Sequence, residues 1–308
     1  MITRFILVSL YLGCTMASAS QLLPDFDTWW NYNKPAETEV RFREFLPEME
    51  KKGSPDLHLQ LLTQIARTQS LQKKFKEAHE ILDGVEKKLS SETKVAEVRY
   101  LLERGRCFNS DKKIPQAIPL FTKAWELGKT RHLDFHAVDA AHMLAIAEKE
   151  PAKQMEWNLK AVELAEKSQD VKAQNWLGSL YNNIGWTLHD EGKFSEALTN
   201  FEKALAYQEK RGDPSRIRVA KWAIARALRS LKRFDEAMKI QRGLEVEFSK
   251  EGQPDAYVFE EIAELLLATG KGQDAKPYFA KAYELLAQDI WLKDSEPKRI
   301  QRLKDLSN

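Results

Sequence analysis

The chain has 308 residues, of which 43% are hydrophobic and 31% charged, with 13 glycines and 11 prolines. That composition excludes a disordered chain and a polytopic membrane protein. The 48 basic residues against 46 acidic ones leave a net charge of +2, without the basic excess of a nucleic-acid-binding surface, so nucleic acid is not expected as a partner.

The first segment, residues 1–19, reads as a secretory signal. Arg4 precedes the apolar run Phe5 to Gly13, and Ala17-Ser18-Ala19 supplies a small-x-small cleavage site. Cleavage after Ala19 makes Ser20 the mature N-terminus and predicts a periplasmic or secreted protein. The apolar run is too short for a bilayer core of about 30 Å, and no later run reaches about 18 apolar residues, so no transmembrane segment is expected after signal removal. Leu12-Gly13-Cys14 resembles a bacterial lipoprotein box, but Tyr11 stands where an aliphatic residue belongs, which leaves lipidation at Cys14 as the minor alternative. Without the signal, Cys107 is the only cysteine, and an internal disulfide is excluded. Beside Phe108 in a helical pattern, it reads as a small buried hydrophobe rather than a reactive thiol.

Residues 20–54 form an N-terminal segment and a capping helix. Asp25 to Asn33 carries Trp29, Trp30 and Tyr32 without helical period and is expected to pack down, with a partner-binding tag as the alternative. Lys34-Pro35 opens a helix whose apolar face is Val40, Phe42, Phe45, Leu46 and Met49, strained at Pro47 and ended by Gly53.

Residues 55–286 repeat. In Ser179 to Tyr207, the residues Tyr181, Ile184, Gly185 and Leu188 recur at helical spacing, Gly192 breaks the pattern, and Ala197, Phe201, Ala204 and Leu205 resume it. Two antiparallel helices follow, brought close by Gly185, Ala197 and Ala204 and filled in by Tyr181, Leu188 and Phe201. The same offsets recur about Ala78, Ala117, Ala237 and Ala275. The anchors lie 39, 80, 40 and 38 residues apart, and the 80 conceals a degenerate repeat near Gln154.

Tyr181, Ile184-Gly185, Leu188, Ala197, Phe201 and Ala204 resemble the tetratricopeptide repeat, here in a long-period form. The resemblance implies an all-α, right-handed superhelical solenoid of about six helix pairs with terminal capping helices, an exported bacterial type given the leader. In the third pair Glu150-Pro151 makes the turn look shortened. Pro119 and Pro277, two residues past their anchors, read as helix-start prolines whose lost donor is cheap. Residues 287–308 form the C-terminal cap, where Ser295 caps a helix with Pro297 just inside, Ile300, Leu303 and Leu306 cover the stack, and Lys298, Arg299, Arg302 and Lys304 face water.

No catalytic constellation emerges, and neither an enzyme nor a cofactor is expected. His132 and His136, four apart and so expected on one helix face, lack a third metal ligand, and a surface or interface role is expected for both. Thr269-Gly270-Lys271-Gly272 lacks the leading glycine and following Ser or Thr of a phosphate loop and reads as an inter-helix turn.

The resemblance implies a protein- or peptide-binding scaffold using its concave face; the alternative is a spacer that binds through its ends or convex face. In the family the first helix of each pair lines the concave side. Offsets of 15, 11 and 8 before each anchor then place Arg67, Arg106, Asn109, Asn182, Trp186, His189, Trp222, Arg226, Arg229, Glu260 and Glu264 there. The cluster Asn182, Trp186, His189, Trp222, Arg226 and Arg229 suits an acidic segment or a free C-terminal carboxylate. The competing expectation pairs Arg226 and Arg229 with Glu260 and Glu264 and makes the tryptophans packing residues.

Overall fold

A computed structural model describes residues 25–51 and 54–308, and every regular element among them is helical. The signal segment, Cys14 and Gly53 lie outside the described residues. A 3-10 turn, Phe26–Trp29, precedes α1 (Pro35–Lys51). Six hairpins follow: α2 (Pro55–Leu71) with α3 (Phe75–Glu86), α4 (Lys94–Ser110) with α5 (Ile114–Thr130), α6 (Asp134–Ala147) with α7 (Pro151–Lys167), α9 (Leu177–Asp190) with α10 (Phe194–Arg211), α11 (Pro214–Ser230) with α12 (Phe234–Lys250), and α13 (Ala256–Ala268) with α14 (Gly272–Leu286). The short α8 (Val171–Gln174) separates the third and fourth hairpins, and α15 (Ile290–Ser295) and α16 (Pro297–Leu306) end the chain.

The hairpins close for the reason their sequence gives. A Cβ on Gly185 would come within 3.0 Å of the Phe201 ring, and one on Gly105 would meet Phe121 in the same way, so the missing side chain is what lets each ring seat. In five of the hairpins the middle residue of the turn is left-handed: Lys73, Lys112, Gly192, Lys232 and Gly270. The next residue then donates back to the last turn of the first helix, as Lys193 N does to Leu188 O and Arg233 N to Leu228 O, both at 2.9 Å.

The α6–α7 connection departs from this scheme, though not in length. It spans Glu148 to Glu150, three residues like the others, but Glu148 and Glu150 are both extended. Pro151 bars the helical region to the residue before it, so the turn opens out instead of curling left-handed. Pro119 and Pro277 correct another expectation: each is the sixth residue of its helix, past the free donors of the first turn. Both are exposed, and water can take up the carbonyl each leaves unpaired. At the C-terminus Glu296, not Ser295, occupies the N-cap of α16, because Ser295 completes α15.

First helices α2, α4, α6, α9, α11 and α13 form one layer and second helices the other, with a core threaded between them. At one end α1 packs on α2, burying Phe42 and Met49 with Leu57, Leu61 and Ile65. At the other, α16 packs on α14 and buries Leu303 completely. The superhelix coils far enough that Lys112, in the second hairpin's turn, meets Asp294 of α15 at 3.1 Å. No helix among the described residues is long and apolar enough to cross a membrane.

Candidate functional site

On the first-helix layer the predicted residues fall into two groups. In the first half, Arg67 of α2 and Arg106 of α4 both reach Glu103, at 3.4 and 2.9 Å, and Arg106 also pairs with Asp139 of α6. Glu103 and Asp139 are buried, so these arginines are joined into an internal ladder across three hairpins. The carboxyl of Asp139 is held below its ordinary value: burial alone would raise it, but the charges of Arg106 and Arg67 and the Arg106 hydrogen bond together outweigh that. Asn109 is half-buried in the last turn of α4.

In the second half, α9 and α11 bring the aromatic residues together. The Trp186 and Trp222 ring centroids are 5.8 Å apart, and Trp186 also lies 5.4 Å from His189 and 5.1 Å from Phe201. Both indoles are half-buried. The Trp222 Nε1 donates to the Tyr257 carbonyl at 3.1 Å. His189 Nε2 and the Ser230 hydroxyl are 2.9 Å apart, and Asn182 Oδ1 is buried with no hydrogen-bond partner.

The arginines of this half are paired, chiefly through a residue the sequence offsets missed. Glu261, 14 before its anchor instead of 15, receives Arg226 at 3.2 Å and a bidentate pair from Arg229 at 2.8 and 2.9 Å. Arg229 also approaches Glu264, at 4.0 Å. Glu260 and Glu264 are taken mainly by Arg299, at 2.5 Å, and Arg302 of α16, which corrects the expectation that those two arginines face only water. Burial, with the like charge of Arg229, pulls the Arg226 guanidinium below its ordinary value although Glu261 opposes it. Two guanidiniums thus share one buried carboxylate.

A third feature had no sequence signal. The segment before α1 lies across the first-helix layer. Arg99 of α4 donates from both terminal nitrogens to Asp27, at 3.1 and 2.8 Å, and Lys172 of α8 meets Asp25 at 2.7 Å and Asp27 at 3.5 Å. Trp30 Nε1 donates to Gln64 Oε1 of α2 at 3.0 Å, and the Arg67 guanidinium lies over the Trp30 and Tyr32 rings at 5.4 and 5.3 Å. Phe26 and Trp29 turn the other way, joining Phe42 and Phe45 of α1.

The two histidines four apart do not share a helix face. His132 lies in the α5–α6 turn with φ 56, while His136 is buried in α6 with its Nε2 unpartnered. Burial, reinforced by Arg99, pushes the His136 imidazole down to about 3. Cys107 is fully buried and its thiol is pushed up to about 11 by that burial, the opposite of what a reactive thiolate needs. Thr269, Gly270 and Lys271 are the α13–α14 turn.

A tetratricopeptide repeat model matches residues 177–210, the fourth hairpin. A search of curated proteins finds no match. Among solved structures the chain resembles the apo form of RapI (TM-score 0.62, 14% identity, covering 86% of this chain and 76% of that one). It also resembles a Rap protein in complex with Competence and Sporulation Factor (TM-score 0.57, 16% identity, 91% and 84%). A third similar structure is a tetratricopeptide repeat protein from Parabacteroides merdae (TM-score 0.54, 16% identity, 90% and 98%). This fold is typical of protein interaction scaffolds, and it is generally not catalytic. The fourth hairpin thus matches the tetratricopeptide repeat, and it sits in a helical-repeat solenoid whose fold these solved structures share.

Proposed function

We propose that the protein is an exported scaffold that binds a peptide or protein segment on its first-helix layer, at α9 and α11. The observation that carries this is the pair of half-buried indoles, Trp186 and Trp222, set 5.8 Å apart on neighbouring helices. Such a pair offers apolar contact at little entropic cost, and tryptophan and arginine are the residues most enriched in binding hot spots. Arg226 and Arg229 sit beside it with one buried carboxylate between them, so the patch suits a segment that brings a carboxylate, from an acidic side chain or a C-terminus. The solved Rap protein complex is an instance of the same fold holding a factor.

Export rests on the leader: Arg4, the apolar run and Ala17-Ser18-Ala19 stand in signal-peptide order, and N-terminal sequencing of exported protein should begin at Ser20. An intact Met1 on cytoplasmic protein refutes it.

The pairing of every candidate arginine inside the array favours a second reading, a spacer that binds through its ends or convex face. The two separate on one experiment: capture from the exporting cell's envelope with the mature chain, repeated with Trp186→Ala. Loss of the captured protein from the folded variant supports the concave site, and unchanged capture supports the spacer.

A further inference from the structure

The segment Asp25–Tyr32 has two sides: Phe26 and Trp29 join α1 in closing the apolar end of the stack, while Asp25, Asp27, Trp30 and Tyr32 reach over a charged surface of α2, α4 and α8 that closing that end does not require. Beneath the segment lie Arg99, Glu103 and His136, and each keeps a buried polar atom without a partner: Nε, Oε2 and Nε2 respectively. Unpaired buried polar atoms are rare in folded proteins, and three together mark a surface whose hydrogen bonds the segment does not complete. The segment holds its place there by a bidentate carboxylate–guanidinium pair, a lysine clamp, one indole hydrogen bond and two cation–π contacts. Its own regular structure is a single four-residue 3-10 turn, and its outer edge is open, with Tyr32 56% exposed. These are the contacts of a bound peptide.

We propose that residues 25–32 are an internal ligand of α2, α4 and α6, and that the same surface accepts in exchange a partner segment carrying a carboxylate three residues before one aromatic and five before a second. The spacing is that of Asp27, Trp30 and Tyr32. Arg99 is the carboxylate receptor, Gln64 takes the indole N–H, and Arg67 faces both rings. This inference rests on the reading that the first-helix layer binds peptides, and it adds a second, gated site to the one at α9 and α11. A tethered competitor acts at an effective concentration in the millimolar range, so an incoming segment binds weakly until the internal one is loosened.

The test uses the mature chain and a fluorescein-labelled synthetic peptide of residues 25–35. The unaltered protein should bind it weakly. Asp27→Ala combined with Trp30→Ala, which loosens the internal segment, should bind it at least about tenfold more tightly, and adding Arg99→Ala should abolish that gain. Hydrogen exchange on the unaltered chain should show Trp29–Asn33 amides exchanging faster than those of α2. Two results overturn the proposal: a folded, monomeric loosened variant that binds no better than the unaltered chain, or exchange as slow in the segment as in α2, which would make it core. If either occurs while Trp186→Ala still abolishes capture of the envelope partner, the α9–α11 site stands and only the internal ligand is lost.

Discussion

Arg106 of α4 and Asp139 of α6 form an ion pair between neighbouring hairpins, with side chains 11% and 8% exposed. Two charges withdrawn from water in this way contribute little net stability as a pair, but removing Arg106 leaves Asp139 stranded, whereas Arg106 without Asp139 keeps Glu103. Arg106→Met should therefore cost about 3 kcal/mol and lower the melting temperature, while Arg106→Met with Asp139→Leu should recover part of the loss, Glu103 retaining Arg67. Equal loss in the single and double variants would show that the packing, not the charge, matters there.

The glycines make opposite predictions according to what surrounds them. Gly185→Ala forces a Cβ into the Phe201 ring and should destabilise the fourth hairpin by about 1–3 kcal/mol. Gly243, in exposed α12, has nothing within 4 Å of a built Cβ, and Gly243→Ala should stabilise by about 0.5–1 kcal/mol through helix propensity. Thermal melts of the two variants should move in opposite directions.

His136 gives the protein an acid sensitivity. Its imidazole is pushed from 6.5 down to about 3 by burial, by Arg99 and by Lys172, against the opposing charges of Asp139 and Asp27. The unfolded chain thus takes up a proton before the native one does. The contribution to stability is complete above about pH 6.5 and is lost as pH falls toward 3. His136→Gln should flatten the melting temperature between pH 7 and 4; a profile as steep as that of the unaltered chain would assign the acid sensitivity elsewhere.

Deleting residues 293–308 should uncover the apolar face that α16 closes with Leu303, Ile300 and Leu306, and should strand Glu260 and Glu264, which Arg299 and Arg302 hold. Self-association and a lower melting temperature are expected, since an end repeat without its cap exposes what a neighbour would bury. A truncated chain that stays monomeric with unchanged melting would deny α16 that role.

The hairpins were legible because sequence period and packing period coincide. Gly185 with Phe201, and Gly105 with Phe121, sit at fixed offsets because the same close approach recurs. The candidate face was legible only in part. An offset of 15 selects Glu260 but passes over Glu261 and Glu103, one residue further along, since a helical face is wider than a single row and the charged partners lie at its edge. The α6–α7 turn misled because proline changes the shape of a connection without changing its length. Nothing in the sequence joined Asp27 to Arg99, 72 residues apart: a contact made across the superhelix carries no periodic mark.

The most direct measurement of the central claim is the affinity of the captured partner for Trp186→Ala and Arg226→Ala, each at low and high salt. A peptide site at α9 and α11 predicts a loss of at least about 1 kcal/mol in both folded variants, with the Arg226 effect shrinking as salt screens it. Affinity unchanged in both variants would contradict the account and move binding to the ends or the convex face.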